Sequence, residues 1–556
     1  MKTLLLATLA LGATCLAQST SATSSKTEPP HLRIDTVGPD GWRARLGPTN
    51  LGSLLASEQG RGLWQPQVLP LLAHWQQMVG DEAMAAEAQQ RLLGHQGSIR
   101  IGAWFDPDRG AEVVALAVVL EGDGRTDMGK LAADLRQLQD RLVPGERRQQ
   151  ELGGAPVEVV TQGDDAMTTP LLEHGNVLFA MGSGTSLPSA LANARALAQE
   201  ATGKAPPPTA PALRLSLDLP VFLGKLLDGH DAEETAVMKA LGVPSLGALS
   251  MTLGSAGPRV QFELAQQFTS DDRGLFAALL PATAGVPDAQ ALVPADAGSW
   301  KLGHFDFLAL YRTIVRAVVA MEKSTAAELQ AKMAKELGLD LDADLLAHTT
   351  DEVVFFHSTL LDLERPEDVT WTLAIGLRDR AAFDRGLTTL LAHAKPVLTR
   401  AATTTVDGIE LHRYGTMIGY DVWFAVAQRH LFVSGGRDAE EQLTKAVTAT
   451  KAVAGEGPTN TPAKAEAAFT ELVRYLPPGC NGQARSEIDA LVALPVQWWL
   501  LGIREVAPLP LPGDLGEGDD EEARQARRAL LREHQLGVLR TATGYADRTW
   551  RWRTFW

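Results

Sequence analysis

Four aspartates have the spacing of a calcium-binding loop. Asp340, Asp342, Asp344 and Asp351 occupy relative positions 1, 3, 5 and 12, where such a loop supplies oxygen ligands. The sixth position is Leu345, although the sharp turn of the loop needs glycine, and the twelfth is aspartate instead of the usual bidentate glutamate. These departures favour an aspartate that caps a helical turn, with calcium as the alternative, and we predict no metal site.

Two histidines recur at the same point of the two halves of the chain. His95 and His348 each follow a Leu-Leu-x sequence, at the predicted end of a helix. An imidazole there can cap carbonyl groups and, when protonated, complements the negative helix end. We predict capping; the alternative, a paired ligand or proton-transfer role, requires both histidines to face one pocket. The other histidines lack metal-ligand spacing, and no His-Glu-x-x-His sequence occurs.

A proline followed eleven or twelve residues later by aspartate or asparagine recurs along the chain. The residue at the second position opens an apolar segment, so its side chain can accept hydrogen bonds from the free amides of a helix N-terminus. We therefore predict an N-cap at each copy. The pairs are Pro39/Asn50, Pro206/Asp218, Pro294/Asp306 and Pro477/Asp489.

The templates for catalysis are incomplete. Gly182-Ser183-Gly184 and the segment 254–257 resemble fragments of a nucleophile elbow, but neither completes Gly-x-Ser-x-Gly. The sequence has no phosphate-binding loop and no dinucleotide fingerprint. Trp498 and Trp499 lie on an apolar segment, which favours core or interface over a sugar platform. We predict no catalytic, cofactor-binding or metal-ligating residue, and no cofactor.

The elements that would position any site occur twice. The strand-like segment Leu116–Leu120 returns 257 residues later as Leu373–Leu377, and Val157–Val159 returns 252 residues later as Ile409–Leu411. Leu178-Phe179 likewise returns as Leu431-Phe432. Four segments recur at nearly one offset, the fourth being the leucines before His95 and His348. We predict two tandem repeats, residues 31–290 and 291–556, each with two sub-units.

Each predicted repeat has the order strand, helix, strands, helix. Leucines at helical spacing mark a helix from Met128 to Leu142, and Phe383 to Leu398 has the same pattern. Runs rich in β-branched residues flank both, and further helices are predicted at Pro188–Gln199 and Ala439–Val453. The fold class is α+β, with helices covering one face of a mainly antiparallel sheet.

The N-terminus has the features of an export signal. Residues 1–17 carry one cation, Lys2, then an apolar stretch too short to span a bilayer and small residues suited to cleavage. We predict a signal peptide at 1–17 and a flexible Ser/Thr-rich leader at 18–30. Lipidation at Cys15 is the less favoured alternative. Cleavage would remove Cys15 and leave Cys480 as the single cysteine, so we expect no intramolecular disulfide.

Composition narrows the class of partner. The chain has 556 residues, 45% of them hydrophobic, and a formal net charge of −16, which argues against nucleic acid or an anionic membrane surface. No segment after the leader has the length of a transmembrane run. The stretch 508–522 combines prolines with acidic residues and is predicted to be an exposed loop.

Several of these segments also carry a resemblance. The opening Leu292–Asp296, the pair Phe305-Asp306, the strand Leu373–Leu377 and the turn-and-strand Asp407–Leu411 resemble uncharacterised exported bacterial proteins of planctomycete-like lineages, known only as a domain of unknown function. The resemblance implies duplicated α+β units, with no established activity and no catalytic residue to carry over.

The functional hypothesis follows from compartment and from incomplete motifs. We expect an exported, periplasmic or extracellular protein that binds or scaffolds an envelope protein or polymer without catalysis. The alternative is an exported hydrolase with dispersed Asp, Glu and His residues, since such sites need no contiguous motif. A groove between the halves that holds a peptide or lipid is a third hypothesis.

Overall fold

The structure of the chain is a computed structural model. It describes residues 29–58, 90–91, 94–106, 112–143, 145–200, 206–207, 210–228, 232–287, 289–294, 297–322, 324–357, 370–393, 398–416, 421–453, 471–487, 529, 533–534, 536 and 538–556.

The described part of the chain contains β-strands that all belong to one antiparallel sheet. In chain order these strands are β1 Leu32–Val37, β2 Ser98–Asp106, β3 Glu112–Leu120, β4 Glu146–Leu152, β5 Ala155–Gln162, β6 Asp165–Thr168, β7 Leu171–Glu173, β8 Asn176–Ser183, β9 Leu213–Asp218, β10 Leu246–Ala256, β11 Arg259–Phe268, β12 Ser299–His304, β13 Thr349–His357, β14 Trp371–Leu377, β15 Leu398–Val406, β16 Ile409–Thr416, β17 Asp421–Ala427, β18 His430–Gly435, β19 Cys480–Glu487, β20 Val538–Ala546 and β21 Thr549–Phe555.

The described helices are shorter in total than the strands. They are α1 Pro39–Leu46, α2 Asn50–Ala56, α3 Met128–Leu142, α4 Leu187–Gln199, α5 Leu219–Asp228, α6 Ala232–Ala240, α7 Leu275–Leu279, α8 Phe307–Glu322, α9 Ala326–Leu337, α10 Arg380–His393 and α11 Ala439–Val453. None of these helices is both long and apolar enough to cross a bilayer.

The strands follow one another across the sheet without interruption. From one edge the order is β4, β5, β6, β8, β3, β2, β1, β9, β10 and β11, with β7 beside β6 on the same side of β8. Strand β11 pairs with β21, and the order continues through β20, β19, β12, β13, β14, β18, β17 and β16 to β15. Among the described strands, β4 and β15 each have a single partner and form the two ends of this order, and the short β7 pairs only with β8.

Helices lie on both faces of this sheet, whereas the sequence predicted one covered face. Alternate residues of a strand point to opposite faces. Ala117 and Val119 of β3 belong to the core beneath α4, while Val118 and Leu120 belong to the core beneath α3. A strand that is apolar at every position can bury both of its faces, so the prediction of one covered face is wrong.

Several predicted elements are confirmed at residue level. Helix α3 has the predicted bounds Met128–Leu142, and α11 has the predicted bounds Ala439–Val453. The helix predicted to reach Leu398 instead ends at His393, and Leu398 begins strand β15. The repeat boundaries at 290/291 stay predictions. Residues 1–28 and the acidic loop 508–522 lie outside the described residues.

The pairing of β11 with β21 joins the two runs of strands. Its register extends from Gln261 opposite Phe555 to Gln267 opposite Thr549. Near its middle, the Glu263 carboxylate accepts a hydrogen bond from Nε of Arg553. The same guanidinium donates to the carbonyl oxygens of Tyr475 and Leu476, the latter at 2.9 Å. One side chain thus ties two strands and the 471–476 segment together.

We expect Arg553→Ala to lower the free energy of unfolding by about 2–4 kcal/mol. The change leaves the Glu263 carboxylate without its cation in a place where both side chains are less than one-fifth exposed. Urea denaturation of the purified chain measures the loss. Arg148→Ala is the matched control, since Arg148 pairs with Glu146 on the surface, where both side chains are 65% exposed, and such exposed pairs contribute little to stability. Equal losses in the two variants would contradict this account of the junction.

Candidate functional site

The two recurring histidines do not share a site. His95 precedes β2 and His348 precedes β13, and nine strand-to-strand steps of the sheet order separate those two strands. The paired ligand or proton-transfer role has no geometric support.

His95 is a buried structural residue and not a helix cap. Its Nδ1 lies 3.4 Å from both Asp123 Oδ2 and Thr126 Oγ1. A Cβ atom built on Gly97 would approach the His95 ring to 2.7 Å, so the ring is enclosed and no ligand can reach it. The predicted capping role is therefore wrong for His95, since its ring meets a carboxylate and a hydroxyl instead of helix carbonyls.

The electrostatics around His95 keep its ring neutral and its partner charged. Burial lowers the pKa of His95, and the negative charge of Asp123 offsets this effect in part. Burial alone would raise the pKa of Asp123, but hydrogen bonds from Thr126, Gln96 and Arg125 hold that pKa well below its ordinary value. The carboxylate accepts amide bonds of 2.7, 2.9 and 2.8 Å from these residues.

The predicted N-caps have mixed outcomes. Asp306 caps α8, because its carboxylate accepts a 2.8 Å hydrogen bond from the Ala309 amide. At the start of α2 the cap is Thr49 and not Asn50, since Thr49 Oγ1 accepts from the Gly52 amide. Asp218 is the last residue of β9, directly before α5. Asp489 lies outside the described residues.

The aspartates with calcium-loop spacing point to separate partners. Asp340 accepts from the amides of Asp342 and Ala343 and so caps a helical turn. The Asp342 carboxylate binds Arg312, and that of Asp351 lies 3.3 Å from His304 Nδ1. Among the described residues, no group of three His, Cys, Asp or Glu residues could hold a metal ion. The capping prediction is confirmed for Asp340.

The serine and tryptophan motifs are also structural where they are described. Ser183 ends β8 and shares hydrogen bonds of 3.1 and 3.0 Å with the hydroxyls of Thr185 and Ser186. Residues 254–256 lie within β10, and Gly257 forms the following turn with φ of +61°. Trp498 and Trp499 lie outside the described residues.

A groove of about 650 Å³ lies between α10 and the outer strands β16 and β17. We call it the α10 groove. Leu387, Thr388 and Leu391 of the helix form one wall, and Arg380 and Asp384 stand nearer its N-terminus. On the sheet side the lining residues are Ile409, Glu410, His412, Tyr414, Phe424 and Val426, with Gly408 at the β15–β16 turn. The lining therefore combines apolar side chains with the charged groups of Arg380, Asp384 and Glu410.

The floor of the α10 groove is aromatic. The rings of Tyr414 and Phe424 stack at 4.9 Å between centroids, and the His412 ring lies 5.6 Å from Phe424. His412 Nε2 is also 3.6 Å from Glu410 Oε2. Since successive side chains alternate, Glu410, His412 and Tyr414 project from the same face of β16. This face combines ring surfaces for packing with a carboxylate and an imidazole for polar recognition.

The N-terminal half of α10 fixes the position of this groove. Asp379 accepts a 3.0 Å hydrogen bond from the Ala382 amide, and this bond is the main reason that the pKa of Asp379 is lowered. Phe383 then packs in a core with Leu345 and Leu377. The helix is thus anchored by its first turns, while Leu387, Thr388 and Leu391 extend over the groove.

The corresponding place at the other end of the sheet is closed by ion pairs. Helix α3 follows β3 as α10 follows β14, and it lies beside the hairpin of β4 and β5. Glu158 of β5 binds Arg136 of α3 and also lies 3.2 Å from Arg147 of β4. Arg147 in turn binds Asp140 of α3. Helix and edge hairpin are therefore bonded together where the α10 groove is open.

The two edge strands, β4 and β15, also differ in charge. Strand β4 has four charged residues among seven, whereas β15 has one, Arg400, among nine. Charges on an edge strand discourage pairing with another chain, and an uncharged β-prone edge permits it. The exposed Thr403 and Thr405 lie on β15 directly opposite His412 and Glu410 of the groove. The open edge and the α10 groove thus form one continuous surface.

A second cavity, of about 470 Å³, lies between the β11–α7 connection, α8 and α9. Its charged residues are engaged with one another: Arg312 Nε is 2.7 Å from Asp342, and Arg316 is 3.6 Å from Asp272. These pairs favour a structural role for this cavity.

Sequence reasoning missed the α10 groove. His412 has no histidine at the position 252 residues earlier, so recurrence does not single it out. The available signal is the alternation Glu410, His412, Tyr414, where the segment 252 residues earlier has Glu158, Val160 and Gln162. Strand β16 thus has an imidazole and a phenol where β5 has an aliphatic residue and an amide.

Comparisons with known proteins do not identify the chain. No family model matches it, and no curated protein is similar to it. Three solved structures, crystal forms III, I and IV of TP0453, are similar to it at 10%, 11% and 11% identity with TM-scores of 0.23, 0.22 and 0.22. The matched regions cover 48%, 47% and 47% of this chain, and 91%, 88% and 89% of the three TP0453 chains, respectively. A likeness at these TM-scores carries no argument about function.

Two histidines with lowered pKa values, the buried His95 and the half-buried His430, predict loss of stability in mild acid. Burial, and then the charge of Arg429, lowers the pKa of His430 from 6.5 to about 4, and burial also lowers that of His95. Between pH 6.5 and about 4 the unfolded chain therefore binds protons that the folded chain does not, so stability is complete above pH 6.5 and falls as the pH drops through this window. We expect His430→Gln to reduce that fall.

Melting temperatures measured from pH 7.5 to 4 check this expectation. The control is His174→Asn, at an exposed turn residue with φ of 52° that asparagine tolerates. If the melting temperature of His430→Gln falls with pH as far as that of the unchanged chain, groups other than His430 determine the acid sensitivity.

Proposed function

We propose that the protein is an exported, non-catalytic binding protein of the cell envelope that holds an extended polypeptide segment of an envelope partner. The segment would add to the edge of β15 that has no partner among the described strands, and it would place alternate side chains towards the α10 groove. The observation that carries the proposal is the difference between the two edges, since β4 is charged and ion-paired to α3 while β15 is nearly uncharged and borders an open groove.

Strand addition accounts for the chemistry of this surface. Main-chain hydrogen bonds to an edge strand supply affinity, and pockets for alternate side chains supply specificity. Leu387, Leu391 and Val426 offer half-buried apolar surface to an apolar side chain, and Asp384 and Glu410 offer carboxylates to a basic one. We therefore expect every second residue of the partner segment to face the groove, and we expect these residues to be apolar or basic.

We further propose that the chain is a duplication of one α+β unit, near the predicted boundary at 290/291. The support for this proposal is the strand order, which is the same whether it is counted from β4 or from β15. The strands β4, β5, β6, β8, β3, β2, β1, β9, β10 and β11 correspond in turn to β15, β16, β17, β18, β14, β13, β12, β19, β20 and β21. In this proposal, one copy kept a closed edge while the other acquired the binding surface.

A peptide selection tests the binding proposal. A phage-displayed library of 12-residue peptides is selected on the purified chain, and the best peptide is titrated by fluorescence anisotropy. We expect an alternating consensus and at least a tenfold weaker dissociation constant in the double variant Thr403→Lys, Thr405→Lys, because lysines on an edge strand oppose pairing. Hydrogen exchange should show protection of residues 402–406 when the peptide binds.

The matched control places lysines on the other edge, Gln149→Lys with Gln150→Lys on β4. This variant should bind the peptide as the unchanged chain does. Failure to select any alternating peptide, or equal binding by the β15 and β4 variants, would refute strand addition at β15.

The alternative function is an exported hydrolase. One observation favours it: the His412 imidazole lies 3.6 Å from the Glu410 carboxylate on the floor of the α10 groove, and such a pair can act as a general base. We expect no turnover of chromogenic peptide, ester and glycoside substrates. Turnover that His412→Gln abolishes, while peptide binding survives, would instead favour the hydrolase.

A further inference from the structure

The hairpin of β15 and β16 determines which main-chain groups point towards the β15 edge of the sheet. It turns through Asp407 and Gly408, which both have positive φ, 55° and 80°. The residues that flank a two-residue turn of this kind form a hydrogen-bonded pair, here Val406 and Ile409. Because such pairs alternate along an antiparallel ladder, the N–H and C=O groups of Thr405 point away from β16 and towards the edge.

Thr405 therefore sets the register of a segment that adds to β15. Antiparallel pairing is the more stable kind per residue, and it places one residue of the segment directly opposite Thr405. We call this residue of the segment the facing residue. Its side chain projects from the same face of the sheet as those of Thr405 and Glu410, since Glu410 is opposite Thr405 on β16. The three side chains thus lie in line across three strands.

Glu410 presents its carboxylate to the facing residue. Its side chain is 64% exposed and lies 3.6 Å from His412 Nε2. Within the described residues, no lysine or arginine forms an ion pair with this carboxylate. The facing residue and Glu410 are two strand spacings apart, about 9.6 Å. A lysine or arginine can span this distance by laying its apolar stem across Thr405.

The surroundings of the facing residue are polar and exposed. Thr405, Asp407, Gly408 and Glu410 are all exposed, so an apolar side chain among them would stay in contact with water and gain little from burial. Two residues further from the turn, the residue of β16 on the same face is His412, whose side chain is 23% exposed. Burial therefore increases away from the turn, and the turn end of the edge favours a charged partner residue.

Helix α10 contributes charges of both signs to the groove. Arg380 and Asp384 are four residues apart, so they lie on one face of the helix, and both line the groove. Because their charges are opposite, they offset one another at a distance. The charge that lies in line with the facing residue is that of Glu410.

We infer that Glu410 is the specificity-determining residue of this surface and selects lysine or arginine as the facing residue of the partner segment. This assignment rests on the proposed strand addition at β15 and narrows the partner to a segment with a cation at one fixed position. Charged groups across an interface contribute to specificity because like charges brought together are costly. An acidic facing residue is therefore rejected.

Parallel peptide selections on the full chain test the role of Glu410. The library of 12-residue peptides is selected on the unchanged chain, on Glu410→Lys and on Glu440→Lys. We expect lysine or arginine at one position of the consensus from the unchanged chain, and aspartate or glutamate at that position on Glu410→Lys. By fluorescence anisotropy, the best peptide of the unchanged chain should bind Glu410→Lys at least tenfold more weakly. Replacing its basic residue by glutamate should restore binding to that variant.

Glu440→Lys is the matched control. Glu440 is exposed and accepts a 3.0 Å hydrogen bond from Thr404, whose side chain lies on the opposite face of β15 from that of Thr405. This variant makes the same change of charge near the same edge but outside the α10 groove. The basic position of the consensus should therefore persist in it.

The outcomes separate the role of Glu410 from strand addition itself. Peptides that protect residues 402–406 from hydrogen exchange but keep the same charge preference on Glu410→Lys would overturn the assignment and leave strand addition intact. Equal loss of the basic position in both variants would also overturn it, since overall charge would then decide. If no selected peptide protects these residues, strand addition fails, and the role of Glu410 fails with it.

Discussion

The pairing of β11 with β21 is the constraint on which the rest of the fold depends. In the described part of the chain, this register joins the strands that end at β4 to those that end at β15. On one face Phe262 and Trp552 meet edge to face at 5.7 Å, within a core that includes Leu54 of α2. On the other face Leu472 and Phe555 pack together beside the Arg553 hydrogen bonds. Apolar burial and a charged pair therefore hold the same two strands from opposite sides.

Burial on both faces determines where a site can form. Every residue of β8 and residues 115 and 117–120 of β3 are buried, because α3 and α4 cover opposite faces of these strands. Such strands have no free surface for a ligand. Among the described residues, surface for a ligand lies instead at the α10 groove, near the β15 edge.

The sequence predicted elements better than it predicted the site. Helical leucine spacing located α3 to the residue, since Leu131, Leu135 and Leu138 are the side chains that pack in its core. Recurrent apolar segments indicated α+β units because burial dictates the period of such patterns. The sequence did not show that both faces are covered, since a continuous apolar run does not tell which side of a strand its helix packs against.

The histidines show why site prediction was harder. His95 was noticed because it recurs, yet recurrence reflects shared folding needs, and its ring is enclosed between a carboxylate and a glycine backbone. His412 has no recurring counterpart, yet it lies in the α10 groove. Recurrence in the sequence therefore detects positions that folding constrains, whereas a side chain in an open groove needs no such counterpart.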